Sequence, residues 1–385
     1  MAWQREYAQA ALAPKPPSTV RWLLIVVSAV ASAVLMFLLY AVLPELQVLN
    51  VWAFSASPLA VAILALAARM HAYGVALEEY TLLQERTRLA QVAWTQWGQR
   101  YMAVMAALVL LPEPVSAVAL MKPAQTPIPQ SGKTRRIARL PKSKKGRAMA
   151  GLVQLMDSLS AVLVPLPPGE NFSVTVLTDA PQGEYAALTH ICQQRLTDLT
   201  PSSVISAVHV TAQLPFAWME ERLKTPSDHV EFILVIQLHG DDAYSDGLAA
   251  IVLCTDAVAS AHTLPVAARL LRPMPLDIDA SATDFTTFLQ IQAAARQATG
   301  LLADRAEWQP VAHTLLAAAG AEGAALPVEN RWILEAVNGA PGPCGHWLLA
   351  ALGIEMARLA RQPLLLLASE DTGRWITTVT PGEMS

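Results

Sequence analysis

Three observations along this chain predict an α/β protein carried on an N-terminal two-helix transmembrane hairpin. Residues 22–43 hold no charged side chain and are rich in Leu, Val and Ala. A second uncharged stretch, 46–68, follows at once and ends at Arg69. Beyond residue 150, short apolar runs alternate with helical patterns, as in a buried sheet covered by helices. The predicted order is therefore a hairpin, a helical stalk and a cytosolic α/β sandwich.

Composition agrees with that order. The 385 residues leave room for a membrane part plus one large or two modest soluble domains. Charged residues make up 15%, against about 25% in an average soluble protein. A net charge of −4 excludes a strongly basic nucleic-acid binder. Cys192, Cys254 and Cys344 are an odd set scattered through the second half, which fits free thiols in a reducing compartment.

Residues 1–21 read as a cytosolic N-terminus and 22–69 as the hairpin. At 1.5 Å per residue, each apolar run is long enough for a hydrocarbon core of about 30 Å. Pro44 and Glu45 break the first run. Pro58 interrupts the second, where membrane helices tolerate it. Both runs outlast the apolar part of a signal peptide. Arg5, Lys15, Arg21 and Arg69 flank a turn without Lys or Arg, so both termini should be cytosolic at the inner (cytoplasmic) membrane. Residues 70–98 favour helix and form the stalk. In 99–120 the apolar run 101–111 reads as a buried strand that opens the soluble fold.

Residues 121–147 carry Pro123, Pro127, Pro129 and Pro141 and read as a linker. Its basic cluster is Lys133, Arg135, Arg136, Arg139, Lys142, Lys144, Lys145 and Arg147. Such a cluster faces anionic lipid, at about 1 kcal/mol per residue, or is simply a solvated connector. No aromatic residues interleave with it, so nucleic acid is not an expected partner. In 148–385, helices are expected at 151–162, 181–199, 216–223, 283–298, 308–319 and 346–361. Strands are expected at 172–177, 204–210, 230–238, 247–254, 276–278, 363–368 and 375–379. No internal repeat is visible.

The chemical signals are sparse. Ser131-Gly132-Lys133-Thr134 imitates the end of a phosphate-binding loop, but Pro127 stands where the motif needs glycine. His190 with Cys192 and Cys344 with His346 are metal-capable pairs. Spacing of two residues puts ligands on one face only in a strand or loop; His190 and Cys192 fall in a predicted helix and diverge, so no metal is expected. No Gly-x-Ser-x-Gly elbow occurs, and Asp241, Asp242 and Asp246 read as a solvated turn. No cofactor motif is present.

Ser245-Asp246-Gly247 leading into GLAAIVLC, and Gly345-His346 opening the helix WLLAALGIEMARLA, resemble segments of the thiolase-like and β-ketoacyl-synthase domains over residues 230–381. The resemblance implies that His346 matches a catalytic histidine of the synthases and that His313 stands at roughly the distance of their other one. His313 lacks the glycine-threonine context, and Pro341 replaces a lysine. No cysteine has the small-residue surroundings of the synthase nucleophile. The implied member is catalytically degenerate, with His346 and His313 as candidates if chemistry is retained.

The whole layout also resembles accessory proteins of bacterial type VI secretion. The function expected from these readings is a membrane-anchored, non-enzymatic adaptor or scaffold, a pseudoenzyme presenting its α/β domain to a protein partner such as a secreted effector. Two alternatives stand beside it. One is an acyl-transfer or condensing enzyme of thiolase-like type. The other is a structural membrane subunit whose Gln47 and Asn50 bond across helices.

Overall fold

The computed structural model describes residues 3, 12–48, 50–122, 132–144, 146–163, 171–200, 203–225, 229–324, 326–371 and 373–382. It divides into two compact units, residues 6–93 and residues 1–5 with 94–385.

The smaller unit is helical. Helix α1 (Thr19–Val42) starts at Ser18, whose side chain accepts the Arg21 N–H. A short 3-10 turn, Pro44–Val48, follows. Helix α2 (Val51–Gly98) runs unbroken past Pro58 and ends within the larger unit. Asn50 Oδ1 accepts the Trp52 and Ala53 N–H groups at 3.0 and 3.3 Å. Its side-chain oxygen thus caps α2. Both helices are long and apolar enough to cross a membrane, and Leu23, Leu24, Phe37, Ile63 and Leu64 are exposed rather than packed in a core.

The larger unit is mixed α/β. In chain order it contains β1 (Tyr101–Leu110), α3 (Ala117–Met121), α4 (Arg147–Ser160), β2 (Asn171–Thr178), α5 (Tyr185–Leu199) and β3 (Val204–Thr211). Next come α6 (Ala217–Lys224), β4 (Val230–Gln237), β5 (Gly247–Thr255), α7 (Asp256–Ala261), β6 (Ala268–Leu271), β7 (Met274–Pro275) and α8 (Ser281–Ile291). The chain finishes with β8 (Leu301–Ala303), α9 (Trp308–Ala321), β9 (Arg331–Ile333), α10 (Leu334–Asn338), α11 (Gly345–Ala360), β10 (Leu364–Glu370) and β11 (Gly373–Pro381).

The strands form one sheet in the order β3-β2-β4-β5-β1-β6-β11-β10-β8-β9, with β7 beside β11. This order holds a duplication. With the two-residue β7 left out, the third, second, fourth, fifth and first strands of each half follow one another from the outer edge inward. In both halves the first pairings are parallel and the fifth strand runs antiparallel to its neighbours. The halves meet where β1 and β6 pair antiparallel. The sequence reading found no repeat; the structure corrects that, because the repeat lies in strand order and not in residue identity.

Alternation along the strands sends side chains to two faces. One face, bearing Val104, Ile233, Ile251, Leu302 and Leu366, is covered by α11 across both halves, together with Phe216 and α3. On the other face α4 and α5 cover the first half, and α8 and α9 cover the second. Gly353 marks how closely α11 lies on the sheet, since a Cβ there would come within 2.5 Å of Leu366. Trp3 packs into the second half's core, 5.1 Å from Trp97 and 5.9 Å from Phe288 between ring centroids.

The described part of the expected linker is docked. Ile137 and Leu140 are buried, and Asp246 N–H donates to the Arg135 carbonyl at 2.8 Å. Arg147 is corrected as a lipid-facing residue: it is 2% exposed and paired with the buried Asp246. Arg136 and Lys144 pair with Asp241, and Arg139 with Glu113. Arg135 donates to the carbonyls of Val337 and Glu113. Lys133 and Lys142 are exposed, and Lys145 lies outside the described residues. Of the described members of the cluster, Arg147 alone is buried, and the pairs of Arg136, Arg139 and Lys144 lie exposed.

Candidate functional site

His346 sits in the first turn of α11, whose apolar length is buried because both halves of the sheet need it. Its ring is nearly buried, at 6% exposure. Nε2 donates to the Leu214 carbonyl at 2.9 Å, which fixes the hydrogen on Nε2. The same carbonyl accepts Trp347 Nε1–H at 2.7 Å. Desolvation pushes the His346 pKa down to about 4, against the pull of the Leu214 hydrogen bond. The imidazole is therefore neutral near pH 7.

Leu214 and Phe216 belong to the segment that leads from β3 into α6. Phe216 is fully buried, with its ring edge-on to His346 at 5.7 Å and to Trp347 at 5.4 Å. Its backbone N–H donates to Glu370 Oε1. That carboxylate lies 3.6 Å from His346 Nε2 and also accepts Trp375 Nε1–H at 3.3 Å. Burial raises the Glu370 pKa, only partly offset by the Phe216 N–H.

A second acid stands beside it. Asp304 follows β8 and is 1% exposed. It accepts Trp308 Nε1–H at 2.9 Å and the Ser369 N–H at 2.7 Å. Burial carries its pKa to about 6. Because β8 and β10 are parallel, their ends bring Asp304, Ser369 and Glu370 to one edge. The site is thus an imidazole held neutral, two carboxylic groups with raised pKa, and the starts of α6 and α11. Clusters of perturbed titratable groups of this kind mark functional sites.

The structure does not bring His313 to this place. It is exposed on α9, whose packing face lies on the side of the sheet opposite α11; its candidacy is corrected. Cys344, next but one to His346, is fully buried, and burial raises its thiol pKa. Burial takes Cys192 up to about 12. Cys254 is fully buried as well. Among the described residues no group of three His, Cys, Asp or Glu could hold a metal ion. His190 and Cys192 lie on α5, as expected of a helical pair. The sequence reading missed Asp304, Glu370 and Phe216. The available signal was an acid closing each of two apolar strand runs, LLAD and LLLLASE.

No family model matches the chain, and no curated protein sequence does. Solved structures similar to it include an oxazolomycin ketosynthase domain of Streptomyces albus, 13% identical, with a TM-score of 0.48 over 73% of this chain and 95% of that one. OleA of Xanthomonas campestris is 10% identical, with a TM-score of 0.44 over 73% and 99%. The 3-oxoacyl-[acyl-carrier-protein] synthase III of Aquifex aeolicus is 10% identical, with a TM-score of 0.36 over 72% and 99%. With TM-scores below 0.5 the likeness assigns no residue of this chain a role. These structures are condensing enzymes, the class of the alternative and not of the expected non-enzymatic adaptor or type VI scaffold, and that expectation is corrected accordingly.

Proposed function

We propose that residues 94–385 form a thiolase-like condensing domain that handles acyl thioesters, with His346 as hydrogen-bond donor to the developing oxyanion. One observation carries this reading: the neutral His346 Nε2–H already donates to a carbonyl oxygen, that of Leu214, between the starts of two helices. A thioester carbonyl replacing Leu214 as acceptor would gain charge in the transition state against a fixed donor. The buried, protonated cysteines are not assigned as nucleophile. Decarboxylative condensation of a β-carboxyacyl thioester with a second acyl thioester needs none: the C–C bond electrons pass to the thioester oxygen, CO2 leaves, and the enolate carbon attacks the second thioester's carbonyl, whose thiolate leaves and takes a proton from water.

The test is turnover of malonyl and acetyl thioesters by the full chain in detergent, read as CO2 and free thiol. His346→Ala should lower turnover by about 10²–10³ in a chain whose melting curve shows it folded. Absence of turnover with every thioester would overturn the reading. A second reading, acyl binding without turnover by a degenerate member, is favoured by Phe216, an apolar ring where the start of α6 faces His346. It predicts a raised melting temperature with acyl thioesters and no product.

The hairpin is proposed to cross the inner membrane with both termini cytosolic and lipid as its partner. Arg5, Lys15, Arg21 and Arg69 support this, as does Trp3, which packs in the same compact unit as the C-terminal strands. Reporters fused after Glu45 and at Ser385 should read outside and inside. An external C-terminal signal would overturn the topology.

A further inference from the structure

A second cluster of titratable groups lies where the parallel strands β2 and β4 end, the edge of an α/β sheet that ligands favour. Asp179 follows β2 directly, and its side chain is almost fully buried. Its carboxylate accepts the N–H groups of Leu238 and His239 at 3.0 and 2.7 Å. It also accepts the Tyr244 hydroxyl at 3.1 Å, and lies 3.3 Å from His239 Nδ1. Because the carboxylate can only accept, Nδ1 carries its hydrogen toward Asp179, and in the neutral ring Nε2 is bare. Nε2 is buried and has no hydrogen-bond partner among the described residues.

The surroundings hold this geometry. A Cβ on Gly240 would lie 2.3 Å from the Tyr244 ring, and one on Gly342 would lie 2.6 Å from it. Two glycines thus clamp the tyrosine that helps orient Asp179. Gln237, at the end of β4, accepts the Cys344 N–H at 3.0 Å, which ties this cluster to the first turn of α11, two residues before His346. Neither the Leu214–His346 pair nor Glu370 takes part in it.

We propose that Asp179 and His239 are a second proton-transfer site, in which His239 Nε2 accepts the proton of a small neutral thiol or alcohol. Asp179 is the positioning residue: it fixes the tautomer and stabilises the imidazolium that forms. The step balances within the site. The S–H or O–H bond breaks, its electrons stay on sulfur or oxygen, and the proton moves to Nε2. The bare, buried lone pair selects a neutral donor, because burying an additional charge would cost more. The identification of the donor as an acyl acceptor rests on the acyl-thioester reading; the dyad itself does not.

The experiment uses the full chain in detergent with ring-15N histidine, the His239 signals being assigned by their loss in His239→Gln. The expected wild-type state is the Nδ1–H tautomer, and N-acetylcysteamine or methanol should shift the Nε2 resonance saturably. An Nε2–H tautomer, or no saturable shift with either probe, would overturn the proposal. Asp179→Asn should move His239 to a tautomer mixture while the melting curve shows a folded chain; an unchanged tautomer would remove the positioning role. In acyl transfer to N-acetylcysteamine, His239→Ala should lower the rate by about 10²–10⁴. A wild-type chain that turns over no thioester would sink the acyl reading, while the tautomer and probe shifts still decide the dyad.

Discussion

The two halves of the sheet share one strand order and differ in nearly everything else. In the first half the strands run to 8–10 residues, and β4 and β5 are buried along their whole length. In the second half β8 and β9 have 3 residues each, and β6 has 4. After the third strand of each half comes a helix that begins at the candidate site, α6 in one and, beyond the short α10, α11 in the other. At these corresponding starts the first half places Phe216 and the second places His346, 5.7 Å apart. A duplicated frame thus supplies two helix starts, and the residues at them decide that one packs while the other carries a titratable group.

The largest expected effect tests whether the halves are one folding unit. Trp347 is fully buried under both halves, and its Nε1–H holds the Leu214 carbonyl. Trp347→Ala should cost about 3–5 kcal/mol. Chemical unfolding of the larger unit should remain a single transition, since α11 serves both halves. Two separated transitions would show that the duplication left two independent cores.

A second test is confined to the first half. Asp246 accepts the Ile137 N–H at 2.8 Å and pairs with Arg147, both side chains being nearly buried. Asp246→Ala leaves an unpaired buried guanidinium and should cost about 3 kcal/mol. The double variant with Arg147→Met should recover part of that loss. Additive losses in the double variant would mean that the pair does not hold the docked segment.

How much of this was legible follows from the same contrast. Long apolar runs such as VEFILVIQ and GLAAIVLCT announce buried strands. Strands of three or four residues, ARLL, LLA and RWI, are shorter than any period can reveal. The expected strand at 276–278 falls just after β7, where Leu276 N–H still reaches the Arg374 carbonyl at 2.8 Å. The expected helix 283–298 ends early at Ile291. Gln292 then donates its amide N–H groups to the Gly98 and Arg272 carbonyls and accepts the Thr378 hydroxyl on its oxygen. His346 was legible because Gly-His opens an apolar helix. Glu370 and Asp304 were not, since a single acid after a strand reads as solvated until the chain folds over it.

A smaller test uses the thiols. Cys192 belongs to the first half's core, and burial takes its pKa to about 12; Cys344 starts α11 and is likewise raised. Iodoacetamide at pH 8 should label neither in the folded chain and both in denaturant. Labelling of Cys344 alone in the folded chain would show that the start of α11 opens, making the second half the looser one.

The last test concerns pH, where the groups at the second half's site pull in opposite directions. His346 has a folded pKa near 4, below its ordinary value of about 6.5. The unfolded chain therefore binds a proton that the folded chain refuses between those values, and stability falls as pH drops from about 6.5 to 4. Asp304 behaves inversely. Its folded pKa of about 6 lies above the ordinary carboxylate value of about 3.9, so the folded chain binds the extra proton and stability rises as pH drops through about 6 to 4. Each contribution is roughly 1–3 kcal/mol in size, and in the wild type they largely cancel over that window. The variants should uncover them separately. Asp304→Asn removes the stabilising limb, so its stability should fall more steeply than wild type from pH 6.5 to 4. His346→Asn removes the destabilising limb, so its curve should fall less or rise. Denaturant midpoints at pH 4.5, 5.5, 6.5 and 7.5 give both slopes. Parallel curves for all three proteins would mean that neither group is shifted by burial, and that this half of the sheet is as plainly structural as the other.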